Sequence, residues 1–175
     1  WADVTRIPYQ ITGPYLKELF DQAFIKGLHN PNERPPAEMW EQALLKTTDL
    51  MQPCMNASCE QKWYVFDNTN TPQCPFCGTK YRGSLPVLDL YYQFRPSVWK
   101  PENHRLMVYN NQYLFQWHVN RTIARNEKLT MEQKMPVGYF TFYNNKWVLV
   151  NQKLTSLKDL TDDKMIGINE MVELT

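Results

Sequence analysis

The chain has 175 residues, with nineteen Lys and Arg against eighteen Asp and Glu, a balance that excludes a protein-wide field for holding nucleic acid or anionic lipid. Its length suits one ordinary domain, or a small domain strung between two other short units. No basic, apolar leader opens the sequence, and its apolar runs fall far short of the roughly 20 residues that a membrane span needs. A soluble, cytoplasmic protein is therefore expected. The first residue is Trp1, and we expect a piece cut or processed from a longer polypeptide.

Residues 14–28 place Leu16, Leu19, Phe20, Ala23, Phe24 and Leu28 on a single helical face, with Gly27 where that helix should end. The polar stretch HNPNERPP follows. Residues 37–50 then repeat the helical pattern through Met39, Trp40, Ala43 and Leu44. The prediction for residues 1–50 is a helical pair that cannot bury both faces alone and needs another surface to lean on.

All four cysteines lie within residues 54–78, spaced C-x4-C-x14-C-x2-C as Cys54, Cys59, Cys74 and Cys77. Each short pair can place two thiolates on one tight turn, and two such turns facing each other build the sulfur tetrahedron that zinc prefers. Gly78 permits the positive φ that turns backbone amides toward the sulfurs. Between the pairs, Trp63-Tyr64-Val65-Phe66 is strand-like, and residues 67–72 are turn-like. Residues 51–83 are expected to form a zinc ribbon with one structural zinc, since four thiolates leave the metal no open position for water. Two disulfides also fit four cysteines, but they need an oxidising compartment of which the sequence shows no sign. Redox chemistry at Cys74 and Cys77 would need a strand–helix setting.

From Leu85 the composition turns aromatic and β-branched, with LPVLDLYYQF, HRLMVYNNQYLFQWHV, VGYFTFYNNKWVLVNQ and NEMVEL as successive strand candidates. Asn110-Asn111 and Asn144-Asn145 predict two tight hairpins, because asparagine tolerates left-handed backbone. Residues 84–175 are thus expected to form an antiparallel β sandwich or barrel of about 90 residues. The predicted fold class is α+β: a short N-terminal helical pair, a zinc ribbon, and a C-terminal antiparallel sandwich.

One local cluster interleaves Lys80, Arg82, Arg95, Lys100 and Arg105 with Tyr81, Tyr91, Tyr92, Phe94 and Trp99. Such a cluster suits single-stranded nucleic acid or a protein contact surface, and the near-zero net charge favours the protein. Tyr91, Tyr92, Trp99 and Arg105 are the binding candidates. His29, His104 and His118 have no adjacent nucleophile, so no catalytic role is expected of them. Asp159, Asp162 and Asp163 lack the ligand spacing of a calcium loop, and a solvated turn is expected there.

Residues 19–44, LFDQAFIKGLHNPNERPPAEMWEQAL, resemble the last two helices of a protein kinase catalytic lobe, through Gly27-Leu28, Pro31, Arg34-Pro35, Ala37 and Trp40. The resemblance implies structural roles for Arg34 and Trp40; in kinases the matching arginine pairs with an acidic residue that this chain does not contain. The glycine-rich loop, strand lysine, His-Arg-Asp and Asp-Phe-Gly motifs are missing as well, so no phosphoryl transfer is expected. TIARNE, KWVLVNQKL and LKDLTDDKMIGINEMVEL are similar to the forkhead-associated family, which binds phosphothreonine. That likeness would give Arg125 and Asn151 a binding role, but the Ser-x-x-His element between them is absent, which implies a degenerate domain. In sequence order the chain resembles the C-terminal extension of certain bacterial serine/threonine kinases of tellurite-resistance and stress-response clusters. This resemblance implies a non-catalytic signalling role beside a kinase catalytic domain in cis, docking a von Willebrand A-type metal-dependent adhesion protein and a PP2C-type phosphatase. The alternatives are a nucleic-acid-binding zinc-ribbon module and a phosphothreonine-peptide reader.

Overall fold

The computed structural model describes residues 9–66 and 72–174, so most of the turn expected at 67–72 lies outside the described residues. The chain combines helix and sheet and divides into two compact units, Trp1–Met107 and Val108–Thr175. No described helix is long and apolar enough to cross a membrane.

In the first unit, α1 (Pro14–Asp21) begins with proline in its first turn, where a missing N–H costs nothing. It runs on as a π-helical turn, Gln22–Lys26, that stops at Gly27 as the sequence predicts. A side chain at Gly27 would meet Arg34 Cγ at 2.7 Å. Gly13, just before α1, has φ of +87°, and an added Cβ would lie 2.5 Å from Val65 Cγ1. Gly13→Ala is therefore expected to destabilise the first unit by about 1–3 kcal/mol through left-handed strain and the clash. A urea midpoint unchanged from the parent would contradict this.

α2 (Ala37–Asp49) packs on α1 around Leu16, Leu19 and Ala43, with Phe20 and Trp40 edge to face at 5.2 Å. Met39 and Leu44, expected on its inner face, are exposed instead, while Thr47 and Leu50 are buried. Inner positions 40, 43, 47 and 50 follow a three-, four-, three-residue stagger, which turns 39 and 44 outward. Phe24, Ile25 and Leu28 are exposed too, so the helical pair leaves apolar surface uncovered within its own unit.

β1 (Met51–Pro53) pairs antiparallel with β2 (Trp63–Val65), matching Gln52 with Tyr64. β3 (Val87–Arg95) and β4 (Val98–Met107) then form a long two-stranded hairpin, turned at Ser97 with φ of +62°. Its base is fastened to the helices: His104 Nε2 lies 2.7 Å from Asp49 Oδ2, and the Asn103 carbonyl accepts from Lys46 Nζ at 3.1 Å and from the Tyr15 hydroxyl at 3.3 Å. Residues 87–107, expected with the C-terminal strands, thus belong to the first unit.

The second unit holds β5 (Tyr113–Phe115), a short α3 (Gln116–Val119), β6 (Pro136–Tyr143), β7 (Lys146–Asn151), β8 (Lys158–Asp159), β9 (Lys164–Met165) and β10 (Met171–Glu173). Antiparallel pairing gives one four-stranded sheet in the order β10-β7-β6-β5, and β8 with β9 makes a small separate ladder. Val137, Phe140, Val148, Leu149 and Ile166 are among its buried residues. Asn144 and Asn145 turn the β6–β7 hairpin with φ of +49° and +62°, the double left-handed turn expected from their sequence.

Asn110-Asn111 does not turn a hairpin, because β4 pairs with β3 and β5 pairs with β6. Instead, Asn110 Oδ1 accepts from Phe142 N at 3.2 Å and the Thr141 hydroxyl at 2.9 Å. The acidic stretch forms the solvated turn expected of it: Asp159 Oδ1 accepts from Thr161 N, and Asp163 pairs with Lys158.

Candidate metal centre

Both cysteine pairs sit on backbone-closed loops. In the first, Cys54 N donates to Lys62 O at 2.7 Å and Cys59 N to Asn56 O at 2.9 Å. The Asn56 side chain accepts from Ser58 N, while Asn56 N–H points at Cys54 Sγ at 3.4 Å. In the second, Cys74 N donates to Thr79 O and Gly78 N to Cys74 O, both at 2.9 Å, with Gly78 at φ of +73°. That left-handed residue is the one the sequence singled out, and it reverses the chain within a single turn.

The loops bring all four sulfurs within 4.8 Å of one another, with Cys54 and Cys77 at 3.5 Å and Cys59 and Cys74 at 3.9 Å. All four cysteines are free thiols. This arrangement can hold a metal ion. Burial pushes the Cys54 thiol up to about 12. Burial also raises Cys74, opposed by the Cys77 and Phe76 amides that donate to its sulfur. The Thr79 hydroxyl, 3.2 Å from Cys77 Sγ, and the Thr79 amide hold the exposed Cys77 thiol down to about 6. A cation placed among the sulfurs would favour thiolate throughout, as metal ligation requires.

The cluster is no isolated knob. Cys59 and Cys74 share a core with Leu50 after α2, Tyr64 and Phe66 around β2, and Met107 at the end of β4. Neither Asn56 nor Thr79 was expected from the sequence to support the cysteine loops. An Asx-turn former two residues after the first cysteine, and a hydroxyl two residues after the last, were the available signals.

Of the predicted binding residues, Tyr91 and Arg105 line one cavity of about 360 Å3 at the hairpin base, together with Tyr15, Leu50, Phe66 and His104. Arg105 Nε is paired there with Asp89 at 2.9 Å. Tyr92 and Trp99 lie farther along the hairpin; Trp99 is exposed and Tyr92 half-buried. Arg34 donates to the carbonyls of Gly27 at 2.9 Å and Leu28 at 3.3 Å, so it caps the end of the first helical segment. Trp40 packs against Phe20.

Arg125 and Asn151 do not form one exposed site. The Arg125 guanidinium lies 5.5 Å from the Trp117 ring centroid, whereas Asn151 has no exposed surface. Asn151 Nδ2 donates to the carbonyls of Leu154, Ile166 and Gly167, and its Oδ1 accepts from Leu154 N at 2.8 Å. Asn151 is therefore a structural node and not the ligand contact expected of it. No protein-family model, curated protein or solved structure matches this chain.

Proposed function

We propose that the chain is a non-catalytic docking region whose first unit is held together by one structural zinc ion. Zn–S bonds of about 2.3 Å in a tetrahedron separate sulfurs by about 3.8 Å, and the closest pairs stand at 3.5 and 3.9 Å. Residues 51–83 are then a zinc ribbon. The observation that carries the docking role is the core shared by the cysteine loops and the foot of the β3–β4 hairpin. Through it, a metal ion would set the base from which an aromatic arm projects, with Tyr91, Phe94, Val98 and Trp99 exposed. Exposed aromatics on a rigid support are the residues that dominate protein interfaces.

The kinase-tail and forkhead-associated resemblances assign this region to a bacterial serine/threonine kinase and its partner to a von Willebrand A-type protein. In that assignment the sheet of the second unit is one layer of a degenerate forkhead-associated-like sandwich. The complete burial of Asn151 favours docking over phosphothreonine reading.

Metal analysis of the purified chain should return one zinc. Calorimetry against a purified von Willebrand A-type protein should show binding that Cys74→Ser with Cys77→Ser abolishes. Equal binding by the metal-free double variant would separate docking from the metal, and no binding by the parent would remove the partner.

A further inference from the structure

The four sulfurs divide by depth. Cys59 and Cys74 are 4 % and 1 % exposed and pack with Leu50, Tyr64, Phe66 and Met107. Cys77 is exposed and Cys54 half-buried, and their sulfurs stand 3.5 Å apart. The outer pair comes from different loops, Cys54 from the one bonded to Lys62 and Cys77 from the one bonded to Thr79. A small solute can therefore reach the outer pair, whereas the inner pair is shielded by the core. This pair is not the C-x-x-C of Cys74 and Cys77: its members lie 23 residues apart in the chain, so a bond between them ties one cysteine loop to the other.

Oxidation of the pair by a peroxide balances without further reactants. The Cys77 thiolate attacks one peroxide oxygen, a sulfur–oxygen bond forms as the O–O bond breaks, and hydroxide leaves. The Cys54 thiolate then attacks the sulfenic sulfur, the disulfide forms, and a second hydroxide leaves. Two thiolates are oxidised by two electrons, and one hydrogen peroxide is reduced to two hydroxide ions. The sulfurs have to close from 3.5 Å to about 2.05 Å. Neither sulfur of the disulfide is a thiolate, so two of the four sulfurs that can hold a metal ion are lost as ligands together. Cys59 and Cys74 remain thiols, which suit an apolar core.

We propose that Cys54 and Cys77 form an oxidation site, at which a peroxide-class oxidant joins the two cysteine loops in a reversible disulfide and thereby ends metal binding. Disulfides formed in reducing compartments are mostly of this transient kind. The bond itself is argued from sulfur depth and distance; its consequence for the metal rests on the zinc reading.

The test measures the zinc content of the full, reduced chain and then adds hydrogen peroxide in the presence of a colorimetric zinc indicator. One equivalent of zinc should be released, and dithiothreitol followed by zinc should restore the starting state. Iodoacetamide blocking and peptide mass mapping should find Cys54 joined to Cys77, with Cys59 and Cys74 alkylated once the chain is unfolded. In Cys54→Ser, dimedone should trap the sulfenic acid on Cys77, and the parent's disulfide map stands whether or not that variant folds. A disulfide mapped to any other pair, survival of all four thiols, or irreversible sulfinic acid in place of the disulfide would overturn the proposal. So would zinc retained by a chain whose Cys54–Cys77 bond has been mapped. Survival of the thiols in a chain that holds one zinc would remove the oxidation site and leave the zinc reading. An untreated chain without zinc would remove the zinc reading, and the disulfide map would still decide the oxidation site.

Discussion

Cys74→Ser is expected to release the metal and unfold residues 50–107 as a block. Cys74 is 1 % exposed and shares its core with Leu50, Tyr64, Phe66 and Met107. Its loss therefore removes one of the four sulfurs that can hold a metal ion and puts a hydroxyl among apolar side chains. Structural zinc binding in small domains is worth about 10–16 kcal/mol, as much as the whole stability of a typical domain, about 5–15 kcal/mol. β1–β2 is a three-residue ladder with too little surface to persist alone. Hydrogen exchange before and after adding a chelator to the parent should show the amides of β1, β2 and the base of β3–β4 losing protection together. The serine variant should show that state without chelator, while β6 and β7 stay protected. Full protection of β2 in the metal-free chain would mean that the apolar core suffices without metal.

Asn151→Leu should be the most damaging single change in the second unit. Leucine is similar in size, but it leaves the carbonyls of Leu154, Ile166 and Gly167 and the amide of Leu154 without the bonds that Asn151 provides. Each buried orphan costs about 1–3 kcal/mol, and with partial rescue by water the expected loss is about 3–5 kcal/mol. Asn151→Asp is a stricter probe, since it keeps an acceptor for Leu154 N but cannot donate to the three carbonyls. It also places a carboxylate at a fully buried position. Urea titration followed by Trp147 fluorescence would measure both variants. A loss below about 1 kcal/mol for Asn151→Leu would show that the hydrogen-bond hub is dispensable.

Local features were legible because their causes lie within a few residues. Periodicity placed α1 and α2, and Gly27 stands where the first helical segment ends. Paired asparagines turn the β6–β7 hairpin because both adopt left-handed backbone. The cysteine spacing pointed to one cluster because two short loops, each closed by its own backbone hydrogen bonds, leave the sulfurs few other directions.

The same signals misled wherever the outcome depended on a distant partner. Asn110-Asn111 has the composition of a hairpin turn, yet its flanking strands pair with β3 and β6 and not with each other. Met39 and Leu44 belong to a helical apolar pattern, but the face of α2 that turned inward was the one that met Leu16 and Leu19. Asn151 looked like a ligand contact, but it is fully buried and bonded to the backbone of Leu154, Ile166 and Gly167.

The sequence alone thus determined α1, α2, the cysteine loops and the β6–β7 turn, each set by backbone preference or spacing over less than one element, whereas α3 formed within a stretch expected to be a strand. The tertiary structure alone decided that the β3–β4 hairpin joins the cysteine core and that Asn151 is buried. Those outcomes depend on which surfaces meet across tens of residues, where local preferences carry no information about the partner.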